Sequence, residues 1–245
     1  MKSFQISLTD TNSEIIREYN PDGIQLNGPY EVGLKHFVFW NTIYNITEEN
    51  NTLALGEMRE PDPNTNDILP YNLHIVTISP GYYELDEIIK HLKDDPLIKT
   101  SKTTIEIVKQ YLKIKIKSTF QIDFTRENSI GKVLGFSKQL IPSNKATLSD
   151  LPINIFSINT VKVHCNLVCS NIEDLKRNTN VVYDCPLDLD KIGGKVIKEP
   201  NPICYFYVNA DIIYELVIKI TDQDNKLIDF HGEEINLTLD FRPIK

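Results

Sequence analysis

Apolar and polar residues alternate over much of the chain, with the period of two that is typical of β-strands with one buried face. The alternation is clearest in the ranges 4–8, 111–116, 161–167, 216–220 and 235–241. β-Branched and aromatic residues are frequent in these stretches, as expected for side chains that pack on a pleated surface. The pattern therefore predicts a protein built mainly of strands.

One stretch departs from this alternation. Residues 32–40 are apolar at nearly every position and include the single tryptophan, Trp40. Such a run predicts a strand that is covered on both faces. Two polar segments, 50–70 and 137–152, interrupt the strand pattern, and both are predicted to be surface loops.

Helical periodicity is confined to two short segments. In residues 84–91 and just beyond, four apolar residues lie on one stripe at helical spacing: Leu85, Ile88, Ile89 and Leu92. Acidic residues in the first turn suit the helix dipole. A second short helix is predicted with Asn128 or Ser129 as its N-cap and Gly135 at its end.

These elements together predict an all-β protein with about eight to eleven strands. Long irregular connections between strands favour a jelly-roll sandwich over a simple meander. We predict a single roll with long loops and two short helices. The whole chain, 1–245, is assigned to one domain, with an N-terminal arm at 1–30.

Charge and composition narrow the classes of function. The formal net charge is −8, which argues against a protein that wraps nucleic acid, because such proteins neutralise phosphates with lysine and arginine. No apolar stretch has the length of a membrane span, and the first residues lead straight into strand alternation without the apolar core of a signal peptide. We therefore expect neither direct nucleic-acid contact nor a membrane span.

The cysteines do not predict a metal or disulfide framework. Cys165, Cys169, Cys185 and Cys204 show no pair of C-x-x-C spacings. Cys165 has the apolar register of a strand, where a buried free thiol is common.

The sequence contains few motifs that are associated with catalysis. No phosphate-binding glycine motif and no nucleophile motif occurs, and Gly193-Gly194 before Lys195 is interpreted as a turn. His36 and His164 occupy polar strand registers and are interpreted as surface or interface residues. We expect no catalytic, cofactor-binding or metal-binding residues, no cofactor and no enzymatic activity.

Two acidic pairs could in principle bind calcium in loops: Asp188 with Asp190, and Asp222 with Asp224. The second pair lacks the glycine and the glutamate of a calcium loop. A hairpin turn explains it better, because Asp and Asn form local backbone hydrogen bonds and tolerate positive φ.

A row of lysines alternates with apolar residues in one strand. Lys113, Lys115 and Lys117 lie on the side opposite Ile114 and Ile116. The row could bind anions, but lysine on the solvent side of a strand more often prevents aggregation. We favour the second interpretation.

Several segments, taken in order, resemble the capsid jelly-roll proteins of Polinton/Maverick-type elements and adintoviruses, especially the penton or minor capsid protein. The resemblance extends from about residue 4 to residue 241, except in 169–205. It depends on the order of short motifs: 30–34 with 37–46, 78–83, 129–136, and 218–225 with Phe230, Gly232 and 235–241.

The resemblance implies a virion structural protein made in the host cytoplasm or nucleus. Its partners would be further copies of itself, in a pentamer, and neighbouring major capsid subunits. A length of 245 residues suits one roll better than two. We expect contacts at 1–30, 47–70 and 137–152.

Two alternatives stay open at this point. The first is a double jelly-roll major capsid protein that forms trimers. The second is a carbohydrate- or receptor-binding β-sandwich module, for which exposed aromatic residues would be needed. The candidates are Tyr82, Tyr83, Tyr205 and Tyr207.

Overall fold

The computed structural model describes residues 2–57, 71–156, 158–168, 170–172, 177–187 and 193–244. The chain forms two compact units. Met1–Ile43 with Ile158–Lys245 form the first, called the roll unit, and Tyr44–Ser157 form the second, called the inserted unit.

Strands dominate both units, and the inserted unit interrupts the roll unit in the chain. The N-terminal part of the roll unit contains β1 (Phe4–Asp10), β2 (Glu14–Glu18), β3 (Ile24–Gln25) and β4 (Tyr30–Trp40). The inserted unit contains β5 (Thr52–Glu57), β6 (Tyr71–Thr77), α1 (Leu85–Asp94), α2 (Pro96–Thr100), β7 (Thr104–Val108), β8 (Lys113–Lys117), β9 (Gln121–Asp123), a 3-10 turn (Ile130–Lys132), β10 (Leu140–Ile141) and β11 (Thr147–Leu148). The rest of the roll unit contains β12 (Thr160–Cys165), β13 (Ser170–Ile172), β14 (Arg177–Thr179), β15 (Val181–Pro186), β16 (Lys195–Lys198), β17 (Phe206–Tyr207), β18 (Ile212–Ile213), β19 (Glu215–Thr221) and β20 (Ile235–Pro243).

The roll unit is a jelly roll. Its two main sheets have the strand orders β1-β20-β4-β16 and β15-β12-β19-β2, and every pairing within them is antiparallel. β1 pairs with β20, β2 with β19, β4 with β16 and β12 with β15. These four pairs are successive parts of one long hairpin that is folded over into two sheets, which is the topology of an eight-stranded jelly roll. The predicted fold class is confirmed.

The core of the roll unit is built from both sheets. β4 contributes Phe37 and Phe39, β12 contributes Val161 and Val163, and the loop before β20 contributes Phe230 to one continuous apolar cluster. This is the arrangement expected when two alternating sheets bury their inner faces against each other. The alternation in the sequence thus assigns each of these strands an inner and an outer face.

A β-bulge at Lys35 explains the nearly continuous apolar run in β4. Thr238 pairs with His36 and the next residue of β20, Leu239, pairs with Leu34, so Lys35 is an extra residue. The bulge shifts the alternation by one position. Val32 and Leu34 are buried before it, and Phe37 and Phe39 after it. The predicted strand is confirmed. However, many of its apolar residues follow one another because the bulge changes which alternate positions face the core, and not because both faces of the strand are buried.

The inserted unit has its own apolar core and two sheets, with the orders β10-β9-β5-β6 and β11-β8-β7. The predicted helix is confirmed as α1, whose buried residues Ile88, Ile89 and Leu92 join that core. The second predicted helix is a 3-10 turn, at which the Ser129 hydroxyl accepts a hydrogen bond from the amide of Gly131 at 3.1 Å.

Three predicted segments differ from the structure. The predicted arm at 1–30 contains β1, β2 and β3, and the predicted loop 137–152 contains β10 and β11. In the predicted loop 50–70, which is part of the expected contact region 47–70, residues 52–57 form β5, and 58–70 lie outside the described residues. Short strands in these regions pair with distant partners, which local composition does not reveal. The assignment of 1–245 to a single capsid domain stays a prediction.

Asp95 joins the two helices to β6 of the inserted unit. Its side chain is the N-cap of α2, with Oδ1 accepting from the amides of Leu97 at 2.9 Å and Ile98 at 3.2 Å. Nε2 of His74 lies 2.9 Å from Oδ2. Burial alone raises the pKa of this carboxyl, but the hydrogen bonds from His74 and the two amides outweigh it and hold the pKa below its usual value.

We expect Asp95→Ala to destabilise the inserted unit by about 1 kcal/mol near neutral pH, the usual effect of removing an N-cap. Because the folded pKa is lowered, the stabilisation is complete above the unfolded pKa and is lost as the pH falls through the folded value. The difference in unfolding free energy between wild type and variant should therefore shrink in acid. Urea unfolding at neutral and acidic pH measures this. An equal difference at both pH values would contradict the assignment.

Candidate interaction surfaces

The histidines named as candidates serve structural contacts. Both ring nitrogens of His164 are hydrogen-bonded, to Oδ1 of Asn180 and to Oγ1 of Thr221, at 2.8 Å each. Nε2 of His36 lies 3.7 Å from a carboxylate oxygen of Glu199. Within the described ranges, no group of three or more His, Cys, Asp or Glu side chains could hold a metal ion.

Two of the four cysteines are buried thiols in the core of the roll unit. Burial raises the pKa of both Cys165 and Cys185 to about 11, which keeps them protonated and unreactive near neutral pH. Cys204 is exposed and free. Cys169 lies outside the described residues.

The acidic segment 222–225 forms the turn that its composition predicts. Oδ1 of Asp222 accepts the amides of Asp224 at 2.8 Å and Lys226 at 2.9 Å, and Asn225 has a φ of 63°. Those local hydrogen bonds engage one of the two carboxylate oxygens of Asp222 in the turn. Gly193, also interpreted as a turn residue, has a φ of +67°. Asp188 and Asp190 lie outside the described residues.

The lysine row lies on the exposed face of the β7–β8 hairpin. Lys115 and Lys117 are exposed, and Lys115 pairs across the hairpin with Glu106. Nζ of Lys113 donates to the carbonyl of Asp150 at 2.8 Å. This placement fits the solvent-side interpretation of the row.

The outer face of the sheet β1-β20-β4-β16 carries a patch of uncharged side chains between charged groups, and we call this patch the neutral face; its residues are Ser7, Thr9, Val38, Trp40, Ile197, Asn236 and Thr238. Short polar side chains pair across β1 and β20: Ser7 with Thr238 at 3.1 Å and Thr9 with Asn236 at 2.6 Å. Towards β16 the face becomes apolar, with Ile197 exposed beside Val38. Depletion of charge is the compositional signal of the centre of a protein–protein interface.

β16 is an edge strand of this sheet, because among the described strands it pairs with β4 and with no strand on its other side. Trp40 is partly exposed there, and Nζ of Lys195 lies 6.0 Å from the centre of its ring. Lysines on an edge strand oppose uncontrolled pairing with other chains. An exposed tryptophan at the same place favours a specific contact, because tryptophan is enriched where interfaces gain most of their binding energy.

A cluster of charged and aromatic side chains covers the opposite end of this sheet, beyond the neutral face. Arg242 forms an ion pair with Glu31, and its guanidinium carbon lies 3.5 Å from the ring centre of Tyr205. The Tyr205 hydroxyl donates to Asp240 at 2.8 Å. Burial and this hydrogen bond raise the pKa of Tyr205. The four side chains contact one another, so their charged and polar groups are already engaged within the chain.

The turn of the β7–β8 hairpin exposes a second surface, which we call the hairpin tip. Tyr111, Leu112 and Leu151 are 62%, 64% and 62% exposed. The amide of Ile153 donates to the carbonyl of Leu112 at 2.7 Å, so the segment that carries Leu151 runs beside the turn. Three large apolar side chains therefore lie together in solvent, where single ones are the norm.

A third surface lies on the outer side of β2 and β19, and we call it the acidic edge. Ile16 is nearly half exposed there. Glu18 and Glu215 are directly opposite each other across the two strands, an arrangement in which like charges repel. Within the part of the chain that the structure describes, no cation pairs with either carboxylate.

The four tyrosines considered for carbohydrate binding fall in two separate units. Tyr82 and Tyr83 belong to the inserted unit, where Tyr83 packs edge-on against His91 at 5.2 Å. Tyr205 and Tyr207 belong to the roll unit, and Tyr205 is engaged in the Arg242 cluster. Within each unit, the structure shows no row of exposed aromatic rings among these four.

Sequence reasoning predicted contacts in loops, which stays a prediction, and it did not point to the exposed hairpin tip or to the neutral face. The alternating pattern predicts strand throughout residues 111–116, whereas β8 begins at Lys113. The sequence contained one signal for the hairpin tip. Exposed apolar residues are unusual in a tight turn, where Gly, Asn and Asp are preferred.

Comparison with solved structures finds the selenomethionine-labelled mavirus penton protein, with a TM-score of 0.49 and 12% sequence identity over 100% of both chains. The jelly-roll fold is defined by the strand order of the roll unit and not by this likeness. No protein-family model matches the sequence. No curated protein matches it either. None of the described helices is long and apolar enough to cross a membrane.

Proposed function

We propose that this chain is a virion structural protein, a penton-type subunit that forms pentamers at the vertices of an icosahedral capsid. The observation that carries the proposal is the strand order of the roll unit, with the sheets β1-β20-β4-β16 and β15-β12-β19-β2. The jelly roll is a common building block of viral capsids. The resemblance of the sequence motifs to penton proteins of Polinton/Maverick-type elements and adintoviruses supports the same assignment.

The number of rolls favours the penton over the major capsid alternative. Among the described residues the inserted unit forms sheets of four and three strands, which differ from the two four-stranded sheets of a second roll. A double jelly roll would need eight further strands in that order. One roll with a separately packed insertion fits a penton subunit.

The neutral face supports an assembling role. Subunits in a ring bury surface against their neighbours, and such surfaces are poor in charge and carry exposed aromatic or aliphatic anchors. Trp40 and Ile197 provide such anchors beside a ladder of uncharged polar residues. The proposed partners are further copies of this chain and neighbouring major capsid subunits, and the proposed location is the virion.

Light scattering coupled to size exclusion tests the proposal on the purified full chain, whose mass is 28.2 kDa. We expect a species of five subunits, or larger shells, at high protein concentration. Three subunits would favour the double jelly-roll alternative and contradict the penton assignment. A chain that stays monomeric throughout would contradict a capsid role.

A further inference from the structure

The hairpin tip and the acidic edge have opposite charge and similar apolar character. Residues 99–117, which contain the hairpin, carry six lysines and one glutamate in a chain of net charge −8. Lys109 and Lys113 flank the exposed Tyr111 and Leu112 in sequence. The tip is thus an apolar surface with a basic rim.

Leu112 is unfavourable for the isolated chain in two independent ways. Its side chain is among the most exposed of the large apolar residues, and its backbone has a φ of 51°. Positive φ is strained for a residue with a bulky side chain, and Gly or Asn would relieve that strain at a turn. Strained positions concentrate at functional sites. A leucine at this position is explained if its side chain is needed for binding.

The acidic edge offers the complementary surface. Glu14 and Arg17 are neutralised by Lys219 at 2.9 Å and Asp10 at 3.1 Å. Glu18 and Glu215 stay opposite each other, beside the exposed Ile16. An approaching lysine would relieve the repulsion between the two carboxylates, and an apolar side chain would cover the exposed side chain of Ile16.

We propose that the hairpin tip of one copy of this chain binds the acidic edge of a neighbouring copy. Tyr111 and Leu112 cover Ile16, and the lysines of the tip meet Glu18 and Glu215. Tip and edge are different surfaces, so the contact is heterologous, and a heterologous contact whose rotation closes generates a ring. The inference deepens the proposed capsid function and rests on it, because it names a contact between copies in addition to the neutral face.

The first test is Leu112→Asn, because asparagine tolerates positive φ. We expect this variant to unfold at the same temperature as the wild type or higher, and to self-associate at least tenfold more weakly in analytical ultracentrifugation. The matched control is Leu227→Asn, a half-exposed leucine in the roll unit, which should leave association unchanged. If Leu112→Asn associates as tightly as the wild type, the proposal is wrong.

The second test exchanges the charges. Glu18→Lys with Glu215→Lys makes the edge basic, and Lys109→Glu with Lys113→Glu makes the tip acidic. Each double variant alone should lose self-association, since its tip and edge then carry like charge. An equal mixture should recover it, because the basic edge of one variant meets the acidic tip of the other. Added salt should weaken the contact in both the wild type and the mixture.

The results separate the two proposals. If the wild type assembles and both folded double variants assemble equally well, the contact is wrong while the capsid function stands. A mixture that fails to associate, although each variant is folded, also contradicts the contact alone. A wild type that is monomeric at high concentration contradicts both.

Discussion

Phe39→Ala is expected to destabilise the roll unit by about 3–5 kcal/mol, the usual effect of removing a buried phenylalanine side chain. Phe39 is 0% exposed, and its ring lies 4.8 Å from that of Phe37 and 5.3 Å from that of Phe230. The substitution removes both ring contacts and leaves a cavity that rigid strands on either side fill poorly.

Trp40 makes this effect simple to measure. It is the single tryptophan of the chain and follows Phe39 directly, so its fluorescence reports the unfolding of the roll unit in urea. Leu227→Ala, at a half-exposed position that bridges to Thr221, is the control and should change the unfolding free energy by less than about 0.5 kcal/mol. A loss below about 1 kcal/mol for Phe39→Ala would contradict the described core.

Gly135→Ala is expected to destabilise the inserted unit by roughly 2–5 kcal/mol, from backbone strain and overpacking together. Gly135 has a φ of +82°, and a Cβ there would meet the carbonyl oxygen of Leu151 and lie 2.9 Å from that of Pro152. Backbone atoms cannot rotate away as a flexible side chain can. The strands and turns on either side would have to shift.

Two other glycines separate the causes of this effect. Gly232 and Gly193 also have positive φ, at +79° and +67°, but a Cβ on either would meet nothing within 4 Å. Alanine at either position should lower the free energy of unfolding by only about 1 kcal/mol, which is the cost of the left-handed backbone. Calorimetric melting of the three variants makes the comparison. Equal losses of stability at all three positions would show that the close approach of backbone atoms at Gly135 does not contribute to the destabilisation.

The local pattern predicted individual helices, strands and turns well, because the spacing of apolar residues determines which face of an element is buried. The stripe at Ile88, Ile89 and Leu92 is buried in α1 as predicted, and the Asp222–Asn225 turn forms as predicted. Both depend on interactions within a few residues, namely helical periodicity and Asp or Asn side chains that bond to nearby amides.

The partition into two units is not evident from the pattern. The strands of the inserted unit have the same alternation as those of the roll unit, and a strand's side chains do not state which strand will pair with it. β1 joins β20, with Phe4 opposite Phe241, although almost the whole chain separates them. Pairing over that distance is selected by the packing of the complete core.

The candidate surfaces were the least predictable feature. Whether an apolar side chain is core or surface depends on its neighbours in space, and Leu112 and Ile114 look equivalent in the alternating pattern. In the structure, Leu112 is exposed at the turn and Ile114 is fully buried. The bulge at Lys35 likewise appears only once Leu239 and Thr238 are aligned with β4.

The sequence by itself determined the strand-rich character, the faces of most strands, the position of α1 and the acidic charge balance. Those properties follow from side-chain period, local hydrogen bonding and composition. Tertiary structure alone decided the eight-stranded order of the roll unit, the separate core of the inserted unit and the exposure of the hairpin tip. Backbone hydrogen bonds between strands are the same for every residue type except proline, so strand order is set by the packing of distant segments rather than by local sequence.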